Sequence, residues 1–598
     1  MRRSSFRLAL VAVGLTLAIA LLGGAPAGLA QEPEKVPEAR GTGGAASSVD
    51  ALGTQAAIDV LSAGGNAIDA AVAAAGVLGV VEPFSCGIGG GGFMVIRTAD
   101  GDVTTYDGRE KAPQAMRPDS FIENGTVLGF DPARFSGLSA GVPGTPLSWA
   151  RALDKYGTIS LREALRPAIR AARRGYAVDQ TFFDAVDAVK DYFDDVPATA
   201  ALYLDADGSP RDVGSTIRNP DMAKAYRLMA RDGVRKGFYR GPVAEAIAAA
   251  ATNPPIAPTA NHTWRKGLMT TDDLRRYSAP ERAPVTTDYR GFTVHGMGPP
   301  SSGGTTVAET LNILDGYSPL GASRGEILHR YLEASRYAFA DRNAFLADPA
   351  FFDVPVEGLT SDTFAAERRS LITDRAARSP VAAGDPYDNQ GGAGPAAADS
   401  ATISHPRQST THLTVADRRG NVVSYTFTIE STGGNGIVVP GYGFLLNNEL
   451  TDFNFDSTSH PNRAEGSKRP RSSMAPTIIE RGDRPYLALG SPGGSTIIGT
   501  VLQSIVNRID LREPLLRALA LPRAVERNTA TTQAEQAFID SPEGRDLAAL
   551  RGHRFAPPPR PGEIGAATGI EIRRGGLFVA AAEPARRGAG SAAVVRPR

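Results

Sequence analysis

Thr410-Thr411-His412-Leu413-Thr414-Val415-Ala416-Asp417 lies deep inside a chain of 598 residues, yet it reads as the start of a strand. Upstream runs a stretch of Gly, Ala, Pro and Asp without periodicity; downstream, β-branched and apolar residues alternate at once. After Arg418-Arg419-Gly420-Asn421 the pattern returns as Val422-Val423-Ser424-Tyr425-Thr426-Phe427-Thr428-Ile429. This predicts a β-hairpin closed by a four-residue turn. With Asp417 opposite Val422, Thr411 faces Thr428 and Thr410 stands one step away. A hydroxyl at the first position of a buried strand, with a second hydroxyl across the ladder, adds little to a core. It suits a nucleophile and its hydrogen-bonding neighbour.

Composition narrows the field of partners. The 64 basic and 64 acidic residues cancel, so no global field would draw in nucleic acid or an anionic membrane. Hydrophobic residues at 42% and charged ones at 21% are those of an ordinary globular protein, and with no net charge its partners should be small molecules or other proteins. With Cys86 as the single cysteine, an internal disulfide or a cysteine-built metal site is excluded. The seven His are scattered without ligand spacing. At the N-terminus, Arg2, Arg3 and Arg7 precede an apolar run from Leu8 to Leu22 and a small-residue exit at Gly28-Leu29-Ala30. That is the pattern of a cleaved export signal over residues 1–30. The run is shorter than the roughly 20 residues a membrane span needs.

From Asp50 to Val81 small and apolar residues recur with helical spacing, and Gly64-Gly65-Asn66 divides them into two helices. Gly87-Ile88-Gly89-Gly90-Gly91-Gly92 formally satisfies GxGxxG, but it follows a helix and leads into a strand, the reverse of the dinucleotide context. Close backbone approach is the better reading of these glycines. A strand around Thr104-Thr105-Tyr106 then delivers Asp107-Gly108-Arg109-Glu110. Arginine at such a place offers a planar fork that suits a carboxylate. From Pro143 to Asp348 the signals are mostly helical, as in Thr158 to Ala177 and Glu326 to Ala347, interrupted by Pro299-Pro300-Ser301-Ser302-Gly303-Gly304 as a rigid turn or cap. The aperiodic run from Ser379 to Ser409 predicts an exposed, mobile linker.

In family order the chain carries Gly89-Gly90-Gly91-Gly92-Phe93, Asp107-Gly108-Arg109-Glu110, Pro299-Pro300-Ser301-Ser302-Gly303-Gly304, Thr410-Thr411-His412, Leu446-Asn447-Asn448-Glu449, Arg471-Ser472-Ser473-Met474 and Gly490-Ser491-Pro492-Gly493-Gly494-Ser495. Together they resemble the γ-glutamyltransferase family, from about Gly44 to the C-terminus. The resemblance implies an α/β fold, the αββα four-layer sandwich of N-terminal nucleophile hydrolases. It also implies a precursor that cuts itself between Ser409 and Thr410, leaving a large segment of residues 31–409 and a small one of 410–598 that stay associated as a heterodimer. Thr410 would be the nucleophile, its freed α-amine the base, and Gly493 and Gly494 the oxyanion hole. Arg109, Ser472 and Ser473 would hold the substrate α-carboxylate, and Glu430, Glu449 and Asp452 its α-ammonium. Glu430 stands where many members have Asn, and the span from Asp452 to Ser472 is shorter than in members with a lid loop. The implied activity is hydrolysis of glutathione and other γ-glutamyl compounds and transfer of the γ-glutamyl group to amino acids or peptides, without metal or organic cofactor. Other occupations of the same fold are a cephalosporin or glutaryl acylase, a poly-γ-glutamate depolymerase, and an exported binding protein that never matures.

Overall fold

The computed structural model describes residues 33–392, 394, 397–398, 409–559 and 562–597; the export-signal segment lies outside them. The large sheet has thirteen strands. In chain order they are β1 (Glu38–Ser48), β2 (Gly91–Arg97), β3 (Val103–Gly108), β4 (Glu281–Arg282), β5 (Val285–Tyr289), β6 (Phe292–Gly296), β7 (Thr411–Asp417), β8 (Val422–Thr428), β9 (Thr477–Arg481), β10 (Arg484–Gly490), β11 (Thr568–Arg573), β12 (Leu577–Ala582) and β13 (Ser591–Pro597). The spatial order is β4-β3-β2-β8-β7-β1-β12-β11-β10-β9-β6-β5, with β13 also on β1. Every one of these pairings is antiparallel.

The central hairpin forms, one step from the predicted register. Ala416 pairs with Val422 and Thr411 with Phe427, because the Asp417 N–H reaches the Asn421 carbonyl at 3.0 Å and closes a tighter loop than predicted. Gly420, at φ +98°, supplies the left-handed residue such a loop requires. The Asp417 carboxylate accepts the N–H of Arg419 at 2.8 Å and of Asn421 at 3.1 Å, and so ties the turn to its own strand. The shift carries Thr410, just before β7, to the level of Thr428.

Both strands of the hairpin are buried along their whole length, so each face must be covered. Leu413, Val415, Val423, Tyr425 and Phe427 on one face share an apolar core with α1 (Ala51–Ser62), α2 (Ala67–Val81) and α3 (Thr145–Tyr156). The opposite face meets the other half of the sheet. There Ser424 Oγ donates to the Leu489 carbonyl at 3.0 Å, and the His412 ring lies where a Cβ on Gly490 would stand. The outer side of that half is covered by α4 (Gly303–Asp315), α5 (Arg324–Phe345) and α6 (Ile497–Ile509), through a second core. The fold is mixed α/β about a large antiparallel sheet. The two halves are joined by β1, whose Glu38–Gly41 pairs with β12 and whose Gly44–Ser48 pairs with β7.

The α1–α2 break occurs as predicted, with Asn66 and Asp69 forming a reciprocal capping box at the start of α2. Two expectations are corrected. The stretch from Pro143 to Asp348 is not uniformly helical: β5 and β6 form a hairpin inside it, and Thr158 to Ala177 breaks into helices Leu161–Ala164 and Arg166–Arg174 followed by the short strand Tyr176–Ala177. The linker is not loose along its length either. Val381 N–H donates to Asn528 at 2.7 Å, Gly384 N–H to Asp341 at 2.6 Å, and Tyr387 is buried against Phe345, Leu346 and Phe364. Ser409, at its other end, is 2% exposed.

Candidate active site

Thr410 stands at the mouth of the cleft between the two sheet halves, on an intact peptide bond. Its Oγ donates to the carbonyl oxygen of Ser409 and lies 3.2 Å from Thr428 Oγ. Thr428 Oγ is also 3.1 Å from the same carbonyl and accepts the Glu430 N–H at 2.8 Å. Two hydroxyls thus converge on one carbonyl, and the register explains why. Threonines level with each other at the end of an antiparallel pair project to the same side.

His412, two residues on, takes no part. It is wholly buried, its ring nitrogens lie 2.8 Å from Thr426 Oγ and 3.1 Å from Thr414 Oγ, and burial pushes its pKa down to about 3. A neutral, enclosed imidazole that already has two partners is a packing element.

One wall of the cleft is acidic. Glu430, Glu449 and Asp452 line it together with Thr410 and Thr428. Burial pushes the Glu430 carboxyl up to about 7, with Asp452 adding to the rise and hydrogen bonds from Ser431 and Asn448, with the charge of Arg134, opposing it. Its backbone has φ +76°, a costly conformation for a residue with a side chain. The hydrogen bonds from Glu430 N–H to Thr428 and from Ser409 N–H to the Glu430 carbonyl, the latter at 3.0 Å, hold it there.

Arg109 lies behind this wall. Its Nε donates to the Pro470 carbonyl at 2.9 Å, Nη1 to Glu449, and Nη2 to Asp452 at 2.5 Å and to the Arg471 carbonyl at 2.9 Å. Four of the five guanidinium N–H groups are thus engaged, two of them by acids assigned to the opposite end of a substrate. The cationic residues lining the cleft are Arg342 and Arg471. Arg471 also caps the carbonyl end of α5, with Nη1 3.1 Å from the Asn343 carbonyl.

The opposite wall holds Ser472 and Ser473. Arg342 Nη2 donates to Ser473 Oγ at 2.7 Å, and its Nε donates to Ser302 Oγ at 3.0 Å. Ser302 in turn donates through N–H (2.8 Å) and Oγ (2.6 Å) to the Ser472 carbonyl, while Ser301 Oγ donates to the Met474 carbonyl at 2.6 Å. The Pro-Pro-Ser-Ser turn, read from sequence as a cap, thus clamps the serine loop in place. Gly494 and Ser495 also line the cleft. Gly493, at φ +133°, has Thr496 Oγ 2.6 Å from where its Cβ would be, so the turn admits only glycine there.

Two contacts on the junction had no signal in the sequence. Ser85 Oγ is 2.8 Å from Ser409 Oγ, and Arg587 reaches the Thr410 carbonyl at 2.8 Å. Glu110, next to Arg109 in sequence, is fully buried with no hydrogen-bond partner for either oxygen among the described residues. Arg109 Nη1 is 3.9 Å from it, and burial pushes its carboxyl up to about 8.

The family model for gamma-glutamyltranspeptidase matches residues 53–593. The chain is 37% identical to a glutathione hydrolase proenzyme of Bacillus subtilis, over 92% of this chain and 91% of the relative. It is 36% identical to a glutathione hydrolase proenzyme of Escherichia coli, over 80% of each. Among solved structures, a cephalosporin acylase from Bacillus halodurans superposes with a TM-score of 0.81 at 29% identity, over 95% of this chain and 99% of that one.

Proposed function

The chain belongs to the gamma-glutamyltranspeptidase family, and on that premise we propose that it hydrolyses glutathione and related γ-glutamyl compounds and transfers the γ-glutamyl group to amino acids or peptides. The observation that carries this reading is the Thr410 hydroxyl on the Ser409 carbonyl, at the head of a cleft with three carboxylates on its wall. Attack by Oγ on the Ser409 carbonyl carbon, with breakage of the C–N bond, leaves an ester on Thr410 and a free α-amine. Water then releases residue 409 as a carboxylate. Until that step neither His412, which is enclosed, nor the Thr410 nitrogen, which is an amide, can serve as the base. Afterwards the α-amine, with an ordinary pKa of about 7.7–8.0, is one residue's own backbone away from the hydroxyl.

In turnover the same Oγ attacks the γ-carbonyl of the substrate, with the amine taking the proton and returning it to the leaving nitrogen. The N–H groups of Gly493 and Gly494 receive the developing oxyanion. Glu430, Glu449 and Asp452 face the α-ammonium, and Ser472 and Ser473 take the α-carboxylate, which Arg109 joins when substrate draws it from Glu449 and Asp452. The fold acts as the four-layer N-terminal nucleophile type, with residues 1–30 as an export signal, 31–409 as large subunit and 410–598 as small. Among the described residues no helix is long and apolar enough to cross a membrane.

The likeness to a cephalosporin acylase supports a second reading, in which a glutaryl side chain fills the cleft. The acids argue against it. A glutaryl group lacks the ammonium that Glu430, without an ion pair among the described residues and beside the Arg109-paired Glu449 and Asp452, would face in a partly desolvated site. Incubation of purified precursor alone should yield a fragment beginning Thr-Thr-His-Leu and activity on glutathione above that on a glutaryl amide. A stable single chain, another N-terminus, or preference for the glutaryl amide would refute the proposal.

A further inference from the structure

Arg587 has a backbone that few side chains adopt, φ 54° and ψ 41°. The conformation is held from both sides. Its N–H donates to Glu563 at 2.9 Å, and the preceding Arg586 is anchored by Glu535 at 2.6 Å and Glu583 at 2.9 Å. With the turn so pinned, the Arg587 side chain crosses to the junction. Nη1 donates to the Thr410 carbonyl at 2.8 Å, and Nη2 lies 3.0 Å from Ser85 Oγ and 3.2 Å from Ser409 Oγ. One arm of the fork grips the residue after the scissile bond and the other the residue before it. Neither touches the reacting carbonyl or Thr410 Oγ.

The two arms have different fates once the bond is cut. The grip on Ser409 goes with the departing segment, but the bond to the Thr410 carbonyl does not depend on that segment. The guanidinium therefore remains within about 4–6 Å of the new α-amine, a distance set by one residue's backbone and one hydrogen bond. A fixed positive charge there disfavours the ammonium form. We propose that Arg587 is a positioning residue that holds the junction for self-cleavage and afterwards keeps the Thr410 α-amine in its free-base form.

Other charges face the same groups. Around the guanidinium are Glu82 and the Cys86 thiol from the turn after α2, Glu563 beneath it, and Lys35, whose Nζ donates to the Gly588 carbonyl at 3.2 Å. Facing Thr410 from the cleft are Glu430, Glu449, Asp452, Arg342 and Arg471. All keep their places in an Arg587 variant, but Glu82 and the Cys86 thiol, whose ionised forms Arg587 favours, shift toward the neutral form when it is removed; the Lys variant, which keeps the charge, controls for that response. Burial also pushes the Glu82 carboxyl up to about 7, so the guanidinium is least compensated below neutrality, where the amine most needs help to shed its proton.

The inference rests on the self-cleavage reading, and its test separates the two. Precursor carrying Arg587→Met or Arg587→Lys is followed on denaturing gels, and kcat of the matured fraction on a γ-glutamyl substrate is measured from pH 5.5 to 9.5, a range of roughly two units either side of the amine's ordinary pKa. The Met variant should mature about tenfold more slowly, and the acidic limb of its kcat profile should lie about one pH unit higher, a tenfold loss well below the limb with recovery above it. The Lys variant keeps the charge and should keep the parent's limb. A Met variant with the parent's limb overturns the proposal, as does a Lys variant that shifts like Met. If the Met variant stays uncut, Arg587→Ala is supplied with ethylguanidinium. Restored cleavage supports the role, and no restoration at a parental Tm overturns it. A parent that never cleaves sinks the self-cleavage reading instead.

Discussion

Replacing Thr428 by Val removes one oxygen and leaves the shape of the side chain nearly unchanged. That oxygen lies 3.2 Å from the nucleophile and 3.1 Å from the carbonyl to be attacked, and it accepts the Glu430 N–H at 2.8 Å. Two costs follow, and they fall on different observables. The Glu430 N–H is left buried without its acceptor, at about 1–3 kcal/mol of stability, or a fall of a few degrees in Tm. The Thr410 hydroxyl loses the partner that fixes its rotamer, and a misaimed nucleophile costs about a hundredfold in rate. Maturation followed on denaturing gels and initial rates on a γ-glutamyl substrate should both drop by roughly that factor, while circular dichroism shows a folded protein. Thr428→Ser keeps the oxygen and should recover most of both. A Val variant that matures and turns over at the parent's rates would show that this hydroxyl is idle and the two-hydroxyl convergence incidental.

Three further outcomes follow from the charges in the cleft. Arg109→Lys cannot hold two acids and two carbonyls at once; kcat/KM should fall about ten- to a hundredfold with self-cleavage preserved, and unchanged kcat/KM would remove Arg109 from substrate binding. As pH falls through about 7, Glu430 gains a proton and loses its pull on an α-ammonium. KM should rise on that side in the parent and stay flat in Glu430→Gln, whereas the same rise in both would assign it elsewhere. Glu110, pushed up to about 8, binds a proton in the folded state that the unfolded chain has already released, so its drag on stability grows as pH climbs from about 4.5 to 8. The Tm difference between pH 6 and pH 9 should narrow by a few degrees in Glu110→Gln, roughly; an unchanged difference would contradict this.

The hairpin was legible because alternation over Leu413 to Val415 and Val423 to Phe427 is a local signal. Its register was missed by one step because the side chain of Asp417, which favours the shorter loop, outweighed the count of turn residues. The β5–β6 hairpin went unread because Val285–Tyr289 and Phe292–Gly296 are short and sit among long helices. Composition made the linker look free along its whole length, yet a single aromatic, Tyr387, is enough to dock its first half. Of the residues named by type and order, Thr410, Thr428, Glu430, Glu449, Asp452, Ser472, Ser473 and Gly494 line one cleft, while Arg109 and Gly493 stand outside its lining. Ser85 and Arg587 were not named, because 502 residues separate them and only the folded chain makes them neighbours. The engagement of Arg109 by Glu449 and Asp452 is likewise a three-dimensional fact that no spacing announces.

The order of strands across the sheet constrains how the molecule can be made. Strands from before residue 409 lie at β4, β3 and β2, then at β1, then at β6 and β5; strands from after it fill the gaps between. In the uncut chain, each of these insertions is an intramolecular closure, whose entropic cost grows only slowly with loop length. If the chain is cut before Thr410 as proposed, the same interdigitation would require two exposed, unpaired sheet fragments to meet in solution and thread together in the right sequence. On the proposed self-cleavage, the uncut chain would serve as a jig that is given up after assembly. Refolding of separated segments should become second order in protein and compete poorly with aggregation, so that a matured molecule, once unfolded, has no ready route back.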